Sequence, residues 1–175
     1  MYAKWVQVAD RLRKINNFNT LMGVLAGLNM SSVNRLKHTQ ALLSQKHRDV
    51  KEELQQVISR NQSFKNYRSV LHTATGPTVP FLGVYLTDLT FTEDGNPDYV
   101  ANKAQPSEKL INFKKHKLVH NTISEIQLYQ QQRYDVLKVE PLYTMMVELP
   151  NIDESALYAL SLVREPRGCD PNTLP

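Results

Sequence analysis

The sequence predicts an all-α fold, an irregular helical bundle from which a helical hairpin protrudes. Apolar residues recur at helical spacing through most of the 175 residues, and almost no useful length alternates with the period of two expected of a half-buried strand. No heptad is sustained, so the pattern does not predict a coiled coil. The most informative stretch is residues 79–97, VPFLGVYLTDLTFTEDGNP, which begins apolar, becomes acidic and stops abruptly.

The first helical spacing runs from Val6 to Leu28 and is interrupted by poor helix formers at residues 16–19, NNFN. Two helices and one kinked helix both satisfy this pattern. Gly23 and Gly27 share a face and would let another element approach closely. We interpret the block at 16–19 as structural support behind the hairpin, because asparagine side chains readily cap neighbouring backbone groups.

Three shorter elements are predicted between this region and the hairpin. Residues 31–36 form a short turn, residues 44–59 a charged helix with a narrow apolar stripe, and residues 64–73 a helix that is capped by Ser63 and has an aromatic side. The last of these ends at residues 75–77, TGP, because glycine and proline interrupt helices.

The hairpin itself is predicted from two helices. Pro80 can occupy the first helical position of the first one, where its missing N–H costs nothing. The next three turns are so apolar that they must be buried or bind something. Glu93 and Asp94 follow, and residues 95–97, GNP, end the helix. After a polar linker, the second helix is predicted over about residues 110–132.

Two short helices complete the chain, over residues 140–149 and 153–164, the second of them capped by Asp153.

Composition excludes several functional classes. The net charge of +4 is short of a nucleic-acid-binding footprint, and no apolar run approaches the ~20 residues of a membrane span, so we expect neither nucleic-acid binding nor direct membrane insertion. The first residues mix charged and apolar side chains, unlike a signal peptide. The single Cys169 cannot form an intramolecular disulfide, which is consistent with a reducing compartment.

Motifs for covalent or metal chemistry are also missing from the sequence. The glycines fit no phosphate-binding loop, and no nucleophile elbow is present. His116 and His120 share a helical face, but Lys117 stands where a zinc protease has glutamate, so a solvated face is favoured over a metal site. Glu93 and Asp94 point about 100° apart on a helix and cannot converge on one reacting atom. We predict no cofactor, no metal and no covalent catalysis.

The charges of the hairpin are unfavourably placed with respect to the helix dipoles. Acids end the first helix and lysines begin the second, each costing roughly 0.3–1 kcal/mol at low salt. A hairpin folded symmetrically about residues 100–101 would bring Asp94 near Glu108 and Lys109. Mutual compensation and contact with a partner are equally open explanations.

Seven blocks, in order along almost the entire chain, carry a family resemblance. They are INNFNTLMGVLAGLN, SVNRLK, FKNYRSVL, VPFLGVYLTDLTFTEDGNPD, LINF, ISEIQLYQQQ and LSLVREPR. Together they resemble the catalytic domain of Ras-family guanine-nucleotide exchange factors of the Son-of-sevenless type. The resemblance implies an all-α domain over residues 1–167 that lacks its N-terminal part, followed by a tail at 168–175. It also implies an exposed apolar face on the first helices.

The resemblance further implies that the partner is a Ras-like small GTPase of the Ras, Rap or Ral class. A hairpin at about residues 80–132 would insert beside the nucleotide site, displace the first switch region and release GDP without covalent chemistry. An exchange-dead binding or scaffold module is the alternative, and a generic helical interaction protein is the third possibility. The location implied is cytoplasmic; recruitment to the inner membrane surface through the GTPase or through other domains stays open.

Site residues follow from the resemblance position by position. Asp94 matches the acidic residue of the wedge, and Asn96 matches a hairpin contact. Glu93 is interpreted as a solvated neighbour of Asp94. Thr90 falls where some members have an apolar residue that blocks magnesium, a role that a smaller, polar threonine puts in doubt.

A second set of positions matches the surface that binds the GTPase. Asn29, Ser31 and Asn34 match positions lining the interface, although some members have an aromatic residue in place of Asn34. Phe64 and Lys65 match residues that hold the second switch region. Without the resemblance, Phe64 is more typical of a core residue than of an interface.

Overall fold

The computed structural model describes residues 1–105 and 107–170 and confirms a predominantly α-helical fold. The elements are α1 (Tyr2–Lys14), α2 (Phe18–Asn29), α3 (Ser31–Asn34), α4 (Lys37–Ala41), α5 (Gln45–Val57), α6 (Asn61–His72), α7 (Leu82–Gly95), β1 (Tyr99–Ala101), β2 (Lys109–Ile111), α8 (Phe113–Tyr129), α9 (Glu140–Val147) and α10 (Glu154–Arg164). The helical pattern from Val6 to Leu28 is therefore two separate helices, α1 and α2, and not one kinked helix.

The apolar core is built by the first half of the chain. α1 packs against α2 and α5, α5 packs against α6, and the start of α7 completes the cluster. The buried members are Val6, Ala9, Phe18, Leu21, Leu25, Leu28, Leu54, Tyr67, Leu71, Val84 and Tyr85. Phe18 is fully buried, and its ring meets the edge of Tyr67 at a centroid distance of 5.5 Å. The core thus anchors only the base of the hairpin.

The asparagine-rich block supports the segment that leads into the hairpin, as the sequence predicts. Asn16 adopts a left-handed backbone conformation, with φ of 58°. Its carbonyl accepts the N–H of Val79 at 3.0 Å, and the carbonyl of Val79 accepts the N–H of Phe18 at 2.9 Å. The Asn17 side chain accepts the N–H of Thr20 and caps α2. These contacts give the block a structural role.

The hairpin differs from the sequence prediction at three boundaries. α7 begins at Leu82, so Pro80 precedes the helix and does not occupy its first position. α8 begins at Phe113, because the residues before it form strand β2. β1 and β2 pair antiparallel with Tyr99 opposite Ile111, which puts the centre of the turn near Gln105. The expected symmetry about residues 100–101 is therefore wrong.

The short ribbon β1–β2 was not predicted because its residues carry no burial pattern. All six strand residues are exposed, so neither face needs an alternation of apolar and polar side chains. The pairing of the backbone N–H and C=O groups stabilises the ribbon.

A polar clamp joins α10 to the α3–α4 region. The guanidinium of Arg35 donates to the carbonyls of Ser161 and Glu165, each at 2.6 Å. The buried carboxylate of Glu165 accepts the backbone N–H groups of His38 and Thr39, at 3.2 and 2.7 Å. The predicted cap of α10 is also present, since the side chain of Asp153 accepts the N–H of Ser155, the second residue of α10, at 2.6 Å. The clamp holds the C-terminal helix against the bundle.

Two apolar surfaces are open to solvent. Among the described residues, no other chain segment comes within 4 Å of a side chain built at Gly23 or Gly27, so the predicted close approach of another element is wrong. Exposed apolar residues also occur around this face, for instance Met1, which agrees with the open face expected on the first helices. Helix α9 is exposed along its whole length. A helix long and apolar enough to cross a bilayer does not occur in the described ranges.

Candidate functional site

The hairpin has two parts that differ in how they are held. The hairpin base comprises residues 81–85, at the N-cap and first turn of α7, and residues 122–129 of α8. The hairpin tip comprises residues 93–105 and 107–115, and includes the ribbon β1–β2. The base contacts the apolar core, whereas the tip lies beyond the buried side chains of the core and is held mainly by polar contacts.

Two tyrosine hydroxyls hold the hairpin base: Tyr67 joins it to α6, and Tyr85 joins its two helices to each other. The hydroxyl of Tyr67 accepts the backbone N–H of Phe81 at 2.7 Å, at the N-cap of α7. The hydroxyl of Tyr85 donates to the carboxylate of Glu125 on α8 at 2.8 Å. Burial raises the pKa of Tyr67 to about 12 and also raises the pKa of Tyr85. Both phenols therefore stay neutral and hydrogen-bonded over the physiological pH range.

The hairpin tip is braced by a buried cation, Lys115. Its side chain is only 4% exposed, and its ammonium donates to Glu93 at 2.7 Å and to Asp98 at 2.6 Å. The hydrogen bonds that Lys115 donates to Asp98 and then to Glu93 raise its pKa, and the same lysine lowers the pKa of Asp98. Lys115 thereby joins the end of α7, the residue before β1 and the first turn of α8.

Asn112 completes the brace through backbone groups. Its side-chain amide donates to the carbonyl of Pro97 at 2.8 Å, and its own N–H donates to the carbonyl of Asp98 at 2.8 Å. Its side-chain oxygen caps α8 by accepting the N–H of Lys115 at 3.3 Å. Asn112 thus holds the start of α8 against Pro97 and Asp98, which follow the end of α7.

The compensation of charge in the tip differs from the expected one. Glu93, interpreted from the sequence as a solvated neighbour, pairs with Lys115. Asp94 is exposed, and no described side chain pairs with its carboxylate; the contact expected near Glu108 and Lys109 does not form. The sequence signal for the brace was the unfavourable position of the lysines at the start of α8, but the signal did not identify the partner acid.

The other two wedge candidates lie close to Asp94 along the chain. Thr90 is exposed, and its hydroxyl donates to the carbonyl of Leu86 one turn earlier at 2.9 Å. Asn96 is the C-cap of α7 and donates from its amide to the carbonyl of Thr92 at 2.9 Å. The three side chains therefore occupy the last turns and the end of one helix.

A second group of predicted residues lies where α2 turns into α3. Asn29, Ser31 and Asn34 are all exposed. Asn29 accepts a hydrogen bond from Gln55 of α5 at 3.1 Å, and Ser31 donates to the carboxylate of Glu154 in α10 at 3.3 Å. These side chains can therefore meet a partner from a surface supported by two neighbouring helices.

A third group lies at the start of α6, in a turn of unusual backbone conformation. Gln62, Ser63 and Phe64 are all left-handed, with φ of 50°, 55° and 62°. The predicted cap at Ser63 does not form, and α6 continues in a right-handed conformation only from Lys65, which is exposed. We name residues 61–65 the α6 turn.

Phe64 packs against the core and also leaves part of its ring open to solvent. The residue is half-buried, packs against the core and meets the ring of Tyr67 edge-on at a centroid distance of 6.4 Å. The rest of the ring is accessible, so that Phe64 both packs and presents an apolar surface.

The end of α5 connects two of the three groups. Gln55 donates to Asn29 at 3.1 Å, and the carbonyl of the next residue, Gln56, accepts from the Asn66 amide of α6 at 3.1 Å. The α6 turn is joined to α7 through Arg68, which donates to the Ser63 carbonyl and to Asp88. No hydrogen bond between described residues joins the three groups directly; neighbouring side chains connect them.

The described ranges contain no cluster of three or more histidine, cysteine, aspartate or glutamate residues suited to a metal ion.

Comparison of the sequence with those of known proteins identifies its family. Residues 1–117 match the RasGEF domain family model. The chain is 45% identical over 168 residues to Ras guanine nucleotide exchange factor R of Dictyostelium discoideum, 44% over 165 residues to factor K and 42% over 167 residues to factor J of the same organism. These matches cover 95%, 93% and 95% of the chain but only 9%, 10% and 20% of the relatives, so the chain spans at most a fifth of their length. The chain belongs to the RasGEF domain family.

Proposed function

We propose that this chain is a guanine-nucleotide exchange factor that binds a Ras-like small GTPase and promotes release of GDP. The observation that carries the proposal is the exposed carboxylate of Asp94 at the end of a hairpin whose base is fixed in the core and whose tip is braced by Lys115. The names of the relatives support the same activity for them. We propose residues 1–167 as the exchange domain and 168–175 as a tail.

The proposed mechanism needs no covalent step. The hairpin, at about residues 80–132, inserts beside the nucleotide site and displaces the first switch region of the GTPase. Asp94 brings a negative charge towards the phosphate site, where it repels phosphate and competes for the backbone amides that bind it. Asn96, next to Asp94 at the end of α7, also contacts the GTPase. Release follows because the exchange factor binds the nucleotide-free form more tightly than the loaded form.

The remaining residues of the interface hold the GTPase in place. Phe64 and Lys65 bind the second switch region, with the exposed part of the Phe64 ring as an apolar contact and Lys65 as a charge. Asn29, Ser31 and Asn34 line the adjoining surface. Binding at several separated points orients the GTPase against the hairpin and so lowers the entropic cost of insertion.

One observation favours the second candidate, a module that binds a GTPase without accelerating exchange. Thr90 is small, and its hydroxyl is directed to the carbonyl of Leu86 in its own helix. In that arrangement the side chain offers little apolar bulk with which to block magnesium.

The test is release of a fluorescent guanine nucleotide from Ras, Rap and Ral proteins, each with and without the chain. Acceleration with at least one of them supports the exchange function, and no acceleration with any of them contradicts it. Complex formation without acceleration supports the binding module. A Thr90→Leu variant adds apolar bulk and, under the second candidate, restores acceleration.

A further inference from the structure

Arg68 of α6 forms contacts with two parts of the proposed interface at once. Its Nε donates to the carbonyl of Ser63 in the α6 turn at 2.9 Å, and its Nη2 donates to the carboxylate of Asp88 on α7 at 2.8 Å. Both charged side chains are about one third exposed, at 32% and 34%. The rigid planar guanidinium can hold both acceptors in one geometry, which the point charge of a lysine cannot do.

The α6 turn is a backbone segment that needs such support. Left-handed backbone costs roughly 1–2 kcal/mol for each residue with a Cβ atom, and three consecutive residues of the turn adopt it. The contact from Arg68 to the Ser63 carbonyl lies at the middle of these three residues. Asn66 holds the following turn of α6 to the end of α5. The orientation of Phe64 and Lys65 therefore depends on the Arg68 side chain.

The contact to Asp88 acts on the direction of the hairpin. α7 is attached to α6 at Phe81, through the hydroxyl of Tyr67, and again at Asp88, through Arg68. These attachments are about 10 Å apart along the helix, and Asp94 lies about 9 Å beyond the second. If α7 pivoted at Phe81 alone, a rotation of about 10° would displace Asp94 by about 3 Å, because the lever is about 20 Å long.

We propose that Arg68 is a positioning residue that fixes the hairpin relative to the α6 turn. Phe64 and Lys65 would then hold one switch region while Asp94 reaches the nucleotide site at a set distance from them. This inference rests on the proposed function for its effect on exchange, but the geometric part concerns this chain alone.

The geometric part is tested by a distance measurement without a GTPase. Spin labels are attached at Asn61→Cys, in the turn, and Phe91→Cys, on α7, in a chain carrying Cys169→Ser. We expect a narrow distance distribution in the parent chain and a broader or shifted one in the Arg68→Met variant. Asp88→Asn, which keeps the size of the side chain, should give the same change. Arg60→Met, at an exposed arginine just before the turn, should give none.

The functional part is tested by nucleotide release. We expect Arg68→Met and Asp88→Asn each to lower the maximal exchange rate by about tenfold. A loss of this size is within what a misplacement of about 1 Å can cause. The double variant should be no slower than the slower single variant, because both substitutions remove the same contact between Arg68 and Asp88. Arg68→Lys keeps the ion pair but not both contacts and should restore the rate in part. Circular dichroism confirms that the helices persist.

The two parts give distinguishable outcomes. An unchanged distance distribution in both Arg68→Met and Asp88→Asn overturns the inference, whatever the exchange rates are. A changed distribution with unchanged rates also overturns it, because the position would not matter to exchange. If the parent chain itself accelerates no release, the proposed function fails, and the distance distributions alone decide whether Arg68 fixes the hairpin.

Discussion

The hairpin base and the hairpin tip belong to the same pair of helices but are stabilised by different interactions. The base is held by apolar burial, since Val84 and Tyr85 are within the core and 2% and 3% exposed. The tip has the exposed ribbon β1–β2 and one buried ammonium with two carboxylates. Apolar burial is non-directional and tolerates small shifts, whereas an ion pair with fixed geometry determines where each partner lies. The base thus secures the hairpin, and the tip sets the position of Asp94.

The largest expected effect is in the core. Phe18→Ala should lower the free energy of unfolding by about 3–5 kcal/mol, because it deletes a fully buried ring and leaves a cavity beside Tyr67. Urea denaturation measures the change. The control is Leu42→Ala, at a side chain that is 88% exposed, which should change stability by less than about 0.5 kcal/mol. Similar losses in both variants would contradict the assignment of the core.

The second effect concerns the hydroxyl of Tyr67, which attaches the hairpin base to α6. The pKa of Tyr67 is about 12 in the folded chain against 10.0 in the unfolded chain, so folding favours the neutral phenol. The stabilisation of the folded chain by the neutral phenol is complete below pH 10 and is lost as the pH rises from about 10 to about 12. It amounts to roughly 2–3 kcal/mol at two pKa units.

The free energy of unfolding, measured by urea titration across this pH range, tests the contribution. Tyr67→Phe should weaken the decrease with pH relative to the parent chain. The variant should also be less stable at neutral pH by about 1–3 kcal/mol, because the N–H of Phe81 loses its acceptor. Parallel curves for the two chains would refute the role of this phenol.

The third effect is on activity and should leave stability unchanged. Asp94→Ala removes an exposed carboxylate and should slow nucleotide release about tenfold to a hundredfold, if its contact in the exchange complex is worth ~1.5–3 kcal/mol. Exchange should fall more than binding to the loaded GTPase, since the contact forms on insertion. Equal losses of binding and exchange would refute the wedge role, and an altered urea midpoint would show that the tip also stabilises the fold.

The most localised effect is expected at the Lys115 brace, where only the hairpin tip should respond. Lys115→Met keeps the stem of the side chain but leaves Glu93 and Asp98 without their cation. Amide hydrogen exchange should accelerate in β1 and β2 while the core amides keep their protection. Lys114→Met, at the exposed neighbouring lysine, is the matched control and should change neither. Loss of protection throughout the core would mean that the tip and the base unfold together.

Acidification tests the same brace without a mutation. The hydrogen bond from Lys115 lowers the pKa of Asp98 in the folded chain from its ordinary value of 3.8. The contribution of this carboxylate is therefore present above pH 3.8 and is lost as the pH falls through the lowered folded pKa. Ribbon amides should keep their protection at pH 4 and lose it at lower pH, and in Lys115→Met this acid transition should be absent.

Much of the helical fold could be predicted from residue spacing and turn chemistry. The charged helix α5, the helix capped by Asp153 and the break at Gly76, where φ is +83°, follow from local patterns. The ribbon β1–β2 could not be predicted, because its side chains are exposed and its pairing depends on residues eight to twelve positions apart. The left-handed α6 turn carries no glycine to signal it, and contacts made by Arg68 and Phe64 support it.

For the candidate site, the family resemblance, the hairpin with its two acids and the surplus of lysines at the start of α8 could all be read from the residues alone. Helical spacing, caps and motif blocks are local properties of the chain. Which acid pairs with Lys115 and which one stays exposed depends on contacts that form only when the chain has folded. Glu93 and Asp98 face Lys115 across the hairpin, and Asp94 faces solvent, because adjacent residues of a helix point about 100° apart and only one of them can meet the same cation.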